Sequence, residues 1–178
     1  ATSVTSTIQS PAGSLSAEAM RGAFEDLARH LAANGVDLFV VETMTDRSEL
    51  ALAVEGCRRA AAGIPVAASM SFDPVRGGYR TNTGLTAEAA ARVMTEAGAD
   101  VIGANCGTVA PDQMVEVVRQ FRQVSGKPIL VQANAGLPEL RGDKTVYLLS
   151  PEHFAEGMLK AQRAGAFLLG GCCGTTPE

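Results

Sequence analysis

One phrase is used five times in this chain. A glycine is followed within one to three residues by a short apolar run, and the run ends on polar or cysteine residues: Gly35 to Glu42, Gly63 to Ser71, Gly98 to Cys106, Gly126 to Asn134 and Gly165 to Cys173. From Gly35 to Gly165 is 130 residues in four steps, or 32.5 per step. The intervening stretches carry helix signals. Ser16 opens one with Met20, Phe24, Leu27 and Leu31 on a single face, and Asp46 with Glu49 three residues on reads as a capping-box start ahead of Leu50, Val54 and Cys57. Thr86 starts another; Pro111 stands where a first-turn proline is tolerated, ahead of Met114, Val117, Val118 and Phe121; Ser150-Pro151 leads into Phe154 and Met158. Glycine then marks each helix end. Strand, helix and strand at this spacing dictate a parallel sheet with right-handed crossovers. The unbroken apolar runs suit strands buried on both faces.

An open doubly wound sheet and a closed barrel both fit that pattern, and the regular step favours the barrel. Eight such units need about 260 residues, close to the roughly 250 of a (β/α)8 TIM barrel. The 178 residues hold five clear units and a strand expected near Val4–Ile8, so the chain reads as about the last six βα units of an α/β barrel. The other two are expected before Ala1. No linker or low-complexity tract divides residues 1–178, which form one N-terminally incomplete barrel domain.

Composition narrows the partners. The net charge is −4, and the basic residues are scattered without interleaved aromatics, which excludes a nucleic-acid footprint. No run of about 18 apolar residues exists, and the start has neither the charged nor the apolar region of a secretion signal, so a cytoplasmic protein away from membranes is expected. In a reducing compartment, four cysteines in a chain of this length are free, catalytic or metal-bound.

In the aligned phrases the polar residues recur six to eight positions after each glycine: Glu42, Ser69 and Ser71, Asn105 and Cys106, Asn134, Cys172 and Cys173. These are the carboxyl ends of parallel strands, the face on which barrel enzymes build their active sites. Cys172 and Cys173 are poor disulfide partners, since a disulfide prefers Cα atoms about 5.5 Å apart and consecutive ones sit about 3.8 Å apart. Both can face one ion if the glycine-framed backbone turns there. Cys106, Cys172 and Cys173 are therefore candidate ligands of a catalytic-type zinc, with three protein ligands and an open fourth position. Glu42 ends a very apolar strand and is a candidate for a substrate ammonium, or else for a salt bridge within the fold. Asn134 offers donors and an acceptor to a zwitterion, or pins loop backbone. Ser69 is a weaker substrate candidate and, like Asn105, reads as structural before it reads as functional. His30 and His153 read as helix-surface or helix-end residues and Cys57 as core. The polar stretch from Asp73 to Leu85 is either a lid or a long loop.

Gly103-Ala-Asn-Cys106, Gln132-Ala-Asn-Ala-Gly-Leu-Pro138, Thr145-Val-Tyr147 with Ser150-Pro-Glu-His-Phe154, and Gly170-Gly-Cys-Cys-Gly-Thr-Thr-Pro-Glu178 together resemble the homocysteine S-methyltransferase family. Within it, the likeness is greatest to the homocysteine-binding barrels of cobalamin-dependent methionine synthases, and it runs from about Ile8 to Glu178. The resemblance implies a (β/α)8 barrel in which Cys106, Cys172 and Cys173 hold zinc and Glu42 contacts the amino-acid part of homocysteine. It also sets Asn134 near that pocket. The family's first two strands, including an Asp-Gly-rich opening that helps hold homocysteine, have no counterpart here. Thr7-Ile8-Gln9-Ser10-Pro11-Ala12-Gly13 is a loose version of the family's third-strand segment.

The chemistry expected is methyl transfer to the homocysteine sulfur, giving methionine, with no catalytic residue beyond the metal site. The methyl donor is methylcobalamin, betaine or S-methylmethionine; a corrinoid would be presented by a separate cobalamin-binding domain. Two rivals stand beside this reading. A phosphate-binding barrel lyase or isomerase requires a lysine or histidine at a strand end, and none of the aligned ends has one. A non-catalytic module with structural zinc requires a fourth protein ligand.

Overall fold

A computed structural model describes residues 15–177; the strand expected near Val4–Ile8 lies outside them. In chain order the elements are α1 (Ala17–Ala33), β1 (Phe39–Met44), α2 (Arg47–Ala60), β2 (Val66–Met70), β3 (Asp73–Val75), β4 (Gly78–Arg80), α3 (Ala87–Glu96), β5 (Val101–Asn105), α4 (Met114–Val124), β6 (Ile129–Ala133), β7 (Pro138–Arg141), β8 (Lys144–Tyr147), α5 (Pro151–Arg163) and β9 (Leu168–Gly171). All five repeated phrases become strands of one parallel sheet, ordered β1-β2-β5-β6-β9. Each repeat strand lies beside the next in sequence. A doubly wound sheet reverses its order partway; this one does not, as in a stretch of barrel wall.

The helix starts follow their caps. Ser16, Thr86 and Ser150 each accept from the backbone N–H three residues on, and Asp46 accepts from Ser48 and Glu49 N–H at 2.8 and 3.0 Å. Two details differ from expectation. Pro111 falls in the turn before α4, whose N-cap Gln113 makes no side-chain capping bond and instead accepts from Ala110 N–H at 3.1 Å. Glu49 does not reach back to complete a capping box; it is fully buried, and its carboxylate oxygens meet no hydrogen-bond partner among the described residues. Burial first, and the nearby Asp46 charge second, raise its pKa.

Along the strands, alternate residues face the helices. Val66, Ala68 and Met70 of β2, Ile102 and Ala104 of β5, and Ile129, Val131 and Ala133 of β6 join the main core. The intervening Ser69, Asn105 and Gln132 take the opposite face. The central strands are buried on both sides, whereas edge strands β1 and β9 are partly exposed. Phe72 and Phe121 meet edge-on, 5.9 Å between ring centres, and tie α4 to the segment beneath the carboxyl ends. At the amino ends, Asp100 accepts from Val66 N–H at 2.8 Å and from the Arg58 guanidinium at 2.5 Å, joining α2, β2 and β5. The two hairpins β3–β4 and β7–β8 project from the carboxyl-end loops. The Asp73–Leu85 stretch is thus a hairpin followed by a turn.

The Val66 N–H, then Arg58, holds the Asp100 carboxyl below its ordinary value. A lowered carboxyl pKa stabilises the fold above the unfolded value, near pH 4, and that stabilisation disappears as pH falls through the lowered value. Asp100→Asn is expected to lower the urea midpoint at pH 7, with the gap to the unsubstituted protein narrowing below about pH 4; a gap independent of pH would contradict the assignment.

Candidate metal centre

Cys106 follows β5, and Cys172-Cys173 follow β9. Strand β6 lies between them and holds both segments with its backbone: Cys106 N–H donates to Gln132 O at 3.2 Å, Cys172 N–H to Ala133 O at 2.8 Å, and Ala135 N–H to Cys173 O at 2.9 Å. Asn134, 6% exposed, completes the bridge. Its Nδ2 donates to Gly107 O at 2.9 Å, and its Oδ1 accepts Cys173 N–H at 3.0 Å. Of its two expected roles, loop pinning is the one these bonds describe.

The three sulfurs lie within 4.8 Å of one another, Cys106 to Cys173 at 3.8 Å and Cys172 to Cys173 at 4.0 Å. These separations are far longer than a disulfide. They match what a tetrahedral ion asks: Zn–S bonds of about 2.3 Å at the tetrahedral angle set sulfurs about 3.8 Å apart. Burial, with Cys106 and Cys173 adding like charge, pushes the Cys172 thiol up to about 12. Three thiolates this close repel, and a bound cation is what lets them ionise together. The donor set therefore fits zinc. Among the described residues no histidine, aspartate, glutamate or fourth cysteine joins the group. His30 is exposed and bonded to Asp26 O, and His153 to Ser150 in the first turn of α5. Cys57 is buried in the core, where burial pushes its thiol up to about 11.

Beneath the cysteines lies a buried amide hub. Asn105, fully buried, accepts on Oδ1 from Thr43 N–H at 2.8 Å and Ser69 Oγ at 2.7 Å. Its Nδ2 donates to Thr43 Oγ1 at 2.8 Å and reaches Cys172 Sγ at 3.9 Å, while Asn134 Nδ2 reaches Cys106 Sγ at 3.8 Å. Ser69 is buried and points at Asn105. Among the described residues, Thr43 and Cys106 are the non-glycine residues with positive φ, 62° and 55°, a conformation that is sparse away from functional sites. Gly107 continues that turn at φ 66°; a Cβ there would lie 2.1 Å from Phe72 O. Glu42 is half-buried at the end of β1 with no cation paired to it among the described residues. It borders a cavity of about 200 Å³ otherwise lined by apolar residues of α1, β1 and the loop between them, with Cys57 of α2.

The sequence reading missed Thr43 and Gly107 as parts of this site. Thr43 stands in the Glu42-Thr43-Met44 segment, in which only Glu42 was singled out. Gly107 was legible as the glycine after a strand-end cysteine.

Gly107→Ala is expected to displace Phe72 or the Cys106 turn and to abolish tight metal binding in an equilibrium titration. Asn105→Ala, which leaves Thr43 N–H and Ser69 Oγ unpaired, is expected to lower unfolding free energy by about 1–3 kcal/mol per stranded group and metal affinity by roughly 10–100-fold. Denaturant melts and chelator competition measure the two.

The homocysteine S-methyltransferase family model matches residues 1–178. Curated relatives include the methionine synthases of Mycobacterium tuberculosis, 37% identical over 166 residues, and of Mycobacterium leprae, 36% over 167 residues. Each match covers 89% of this chain but 13% of the relative, so the chain spans a small part of those proteins' length. Among solved structures, the Escherichia coli homocysteine methyltransferase MmuM in its apo form aligns with TM-score 0.69 at 22% identity, over 92% of this chain and 54% of that one. The carboxyl transferase domain of Rhizobium etli pyruvate carboxylase aligns at TM-score 0.61 with 14% identity, over 86% of this chain and 24% of that one. Both likenesses concern the fold. The matched family model and the methionine synthase relatives place this chain in the homocysteine S-methyltransferase family.

Proposed function

We propose that residues 1–178 are the metal-holding part of a homocysteine-binding barrel domain, and that the protein transfers a methyl group to the homocysteine sulfur to give methionine. The observation that carries this is the spacing of the Cys106, Cys172 and Cys173 sulfurs, which suits zinc and leaves its fourth position to a substrate atom. Zinc in that position supplies the charge that makes a thiol, ordinarily of pKa near 8.5, a thiolate at neutral pH.

The chain's own residues have distinct tasks. Cys106, Cys172 and Cys173 hold the ion with three negative charges, an electron-rich set that keeps a fourth sulfur nucleophilic. Asn105 and Asn134 fix the cysteine loops and direct N–H groups at two of the sulfurs. Ser69 acts through Asn105, fixing which way its amide points. Glu42, at the end of β1 on the same rim, receives the substrate ammonium. In the reaction the substrate sulfur forms a bond to the methyl carbon, the carbon's bond to its donor breaks with the electron pair leaving on the donor, and the thiol proton passes to solvent. The likeness to methionine synthases favours methylcobalamin, on a separate domain, over betaine or S-methylmethionine. The five-stranded wall belongs to a closed (β/α)8 barrel, and the setting is cytoplasmic. Against a structural zinc module stands the absence of a fourth protein ligand among the described residues.

Elemental analysis of the purified full chain is expected to find one zinc, lost in Cys106→Ser, Cys172→Ser or Cys173→Ser. In calorimetry, L-homocysteine binds the zinc-loaded protein and not the chelator-treated one, and Glu42→Gln weakens it roughly tenfold, as loss of a charged hydrogen bond should. A protein free of zinc, or one whose homocysteine binding ignores zinc, would sink the proposal.

A further inference from the structure

We infer that Gln132 reads the α-ammonium of homocysteine: its side-chain oxygen is a second acceptor for that group, beside the Glu42 carboxylate. Gln132 joins the pocket proposed above, and its role rests on that reading. Three carboxamides stand at this rim, and two of them are spent on the chain itself. Asn105 uses its amide on Thr43 and Ser69, and Asn134 uses its own on Gly107 O and Cys173 N–H. Gln132 differs. Its Oε1 is buried and meets no hydrogen-bond partner among the described residues. A buried acceptor left unpaired is costly, and a donor that arrives with a ligand removes the cost.

The register sets that oxygen beside the thiol segments. Gln132 pairs with Asn105 of β5 and Gly170 of β9, and Cys106 and Cys172 lie one and two residues beyond those partners. Its neighbours Val131 and Ala133 belong to the main core under the helices, so Gln132 takes the opposite face of the sheet. Glu42 takes the same face on β1, where Phe39 and Val41 are the core residues. The Gln132 side chain lies across Gly170: a Cβ there would fall 3.2 Å from its Cγ and 3.8 Å from its Nε2. Glycine at that position leaves the amide its room.

An amide oxygen accepts N–H donors and carries no full charge. Of the two charged groups of homocysteine, the ammonium is the donor, and its carboxylate only accepts. Glu42 supplies the opposite charge and Gln132 takes another N–H. A site built to hydrogen-bond a substrate group rejects the analogue that lacks it, because its buried polar atom is then left unpaired. Gln132 thereby selects an amino-acid thiol over a simple one.

Gln132→Met removes the amide at similar length. Calorimetry on the zinc-loaded full chain compares three thiols: L-homocysteine; aminopropanethiol, which lacks its carboxylate; and mercaptobutanoate, which lacks its ammonium. The substitution is expected to weaken the first two roughly tenfold, as loss of a hydrogen bond to a charged group should, and to leave mercaptobutanoate unchanged. Gln132→Glu, which keeps an acceptor in place, is expected to retain both ammonium-bearing thiols. Equal weakening of all three by Gln132→Met, or of none, would overturn the inference while the proposed function stands. An unsubstituted zinc-loaded protein that binds no thiol would overturn the proposed function, and the role of Gln132 with it. Urea melts of the chelator-treated protein need no thiol. With Oε1 unpaired, Gln132→Met leaves the midpoint unchanged or raised; a lowered midpoint would mean that the chain itself holds the amide, and would overturn the inference.

Discussion

Three sulfurs within 4.8 Å of one another are a charge problem that the surrounding chain is organised to hold in place. As thiols they pack without difficulty; as thiolates they repel, and burial together with the charge of Cys106 and Cys173 pushes the Cys172 thiol up to about 12. Nothing in the local backbone of Cys106 or of Cys172-Cys173 draws these segments together. The convergence comes from strand β6, whose backbone and Asn134 bond to both loops. Because β6 lies between β5 and β9 in the sheet, the order of strands is what brings residues 66 positions apart to one point.

Holding that geometry uses conformations that an unconstrained chain avoids. Thr43 and Cys106 sit at positive φ, at roughly 1–3 kcal/mol each. Both are over-determined by neighbours: Thr43 by two bonds to Asn105, and Cys106 by its backbone bond to Gln132 O. The Phe72 carbonyl, pressed against Gly107, connects this turn to the aromatic pair with Phe121 in the main core. Core packing and the position of the thiols are thereby coupled.

Much of this was readable from residue order. The glycine-led phrases fixed where the five sheet strands begin, because a helix-ending glycine and an apolar run of limited length leave little freedom. Ser16, Asp46, Thr86 and Ser150 marked four helix starts by their cap chemistry. The register of the phrases put Cys106, Asn134 and the Cys172-Cys173 pair on one rim. Less legible was anything set by tertiary choice. Glu49 satisfies the capping-box spacing yet is buried with no partner among the described residues, since its direction is decided by packing and not by spacing. The β7–β8 hairpin turns at Gly142-Asp143, a usable signal, but β7 and the first half of β8 are exposed, and neither strand has the alternation that would announce it. Asn105 as a hub could not be foreseen, because its partners Thr43 and Ser69 come from two other strands.

The central claim is that three protein sulfurs hold the ion and the substrate sulfur completes the set. Zinc-edge X-ray absorption on the zinc-loaded protein, before and after L-homocysteine, tests it most directly. The account predicts three sulfur neighbours near 2.3 Å and one lighter atom without homocysteine, becoming four sulfurs with it. Four protein-derived ligands before addition and no change on addition would contradict it.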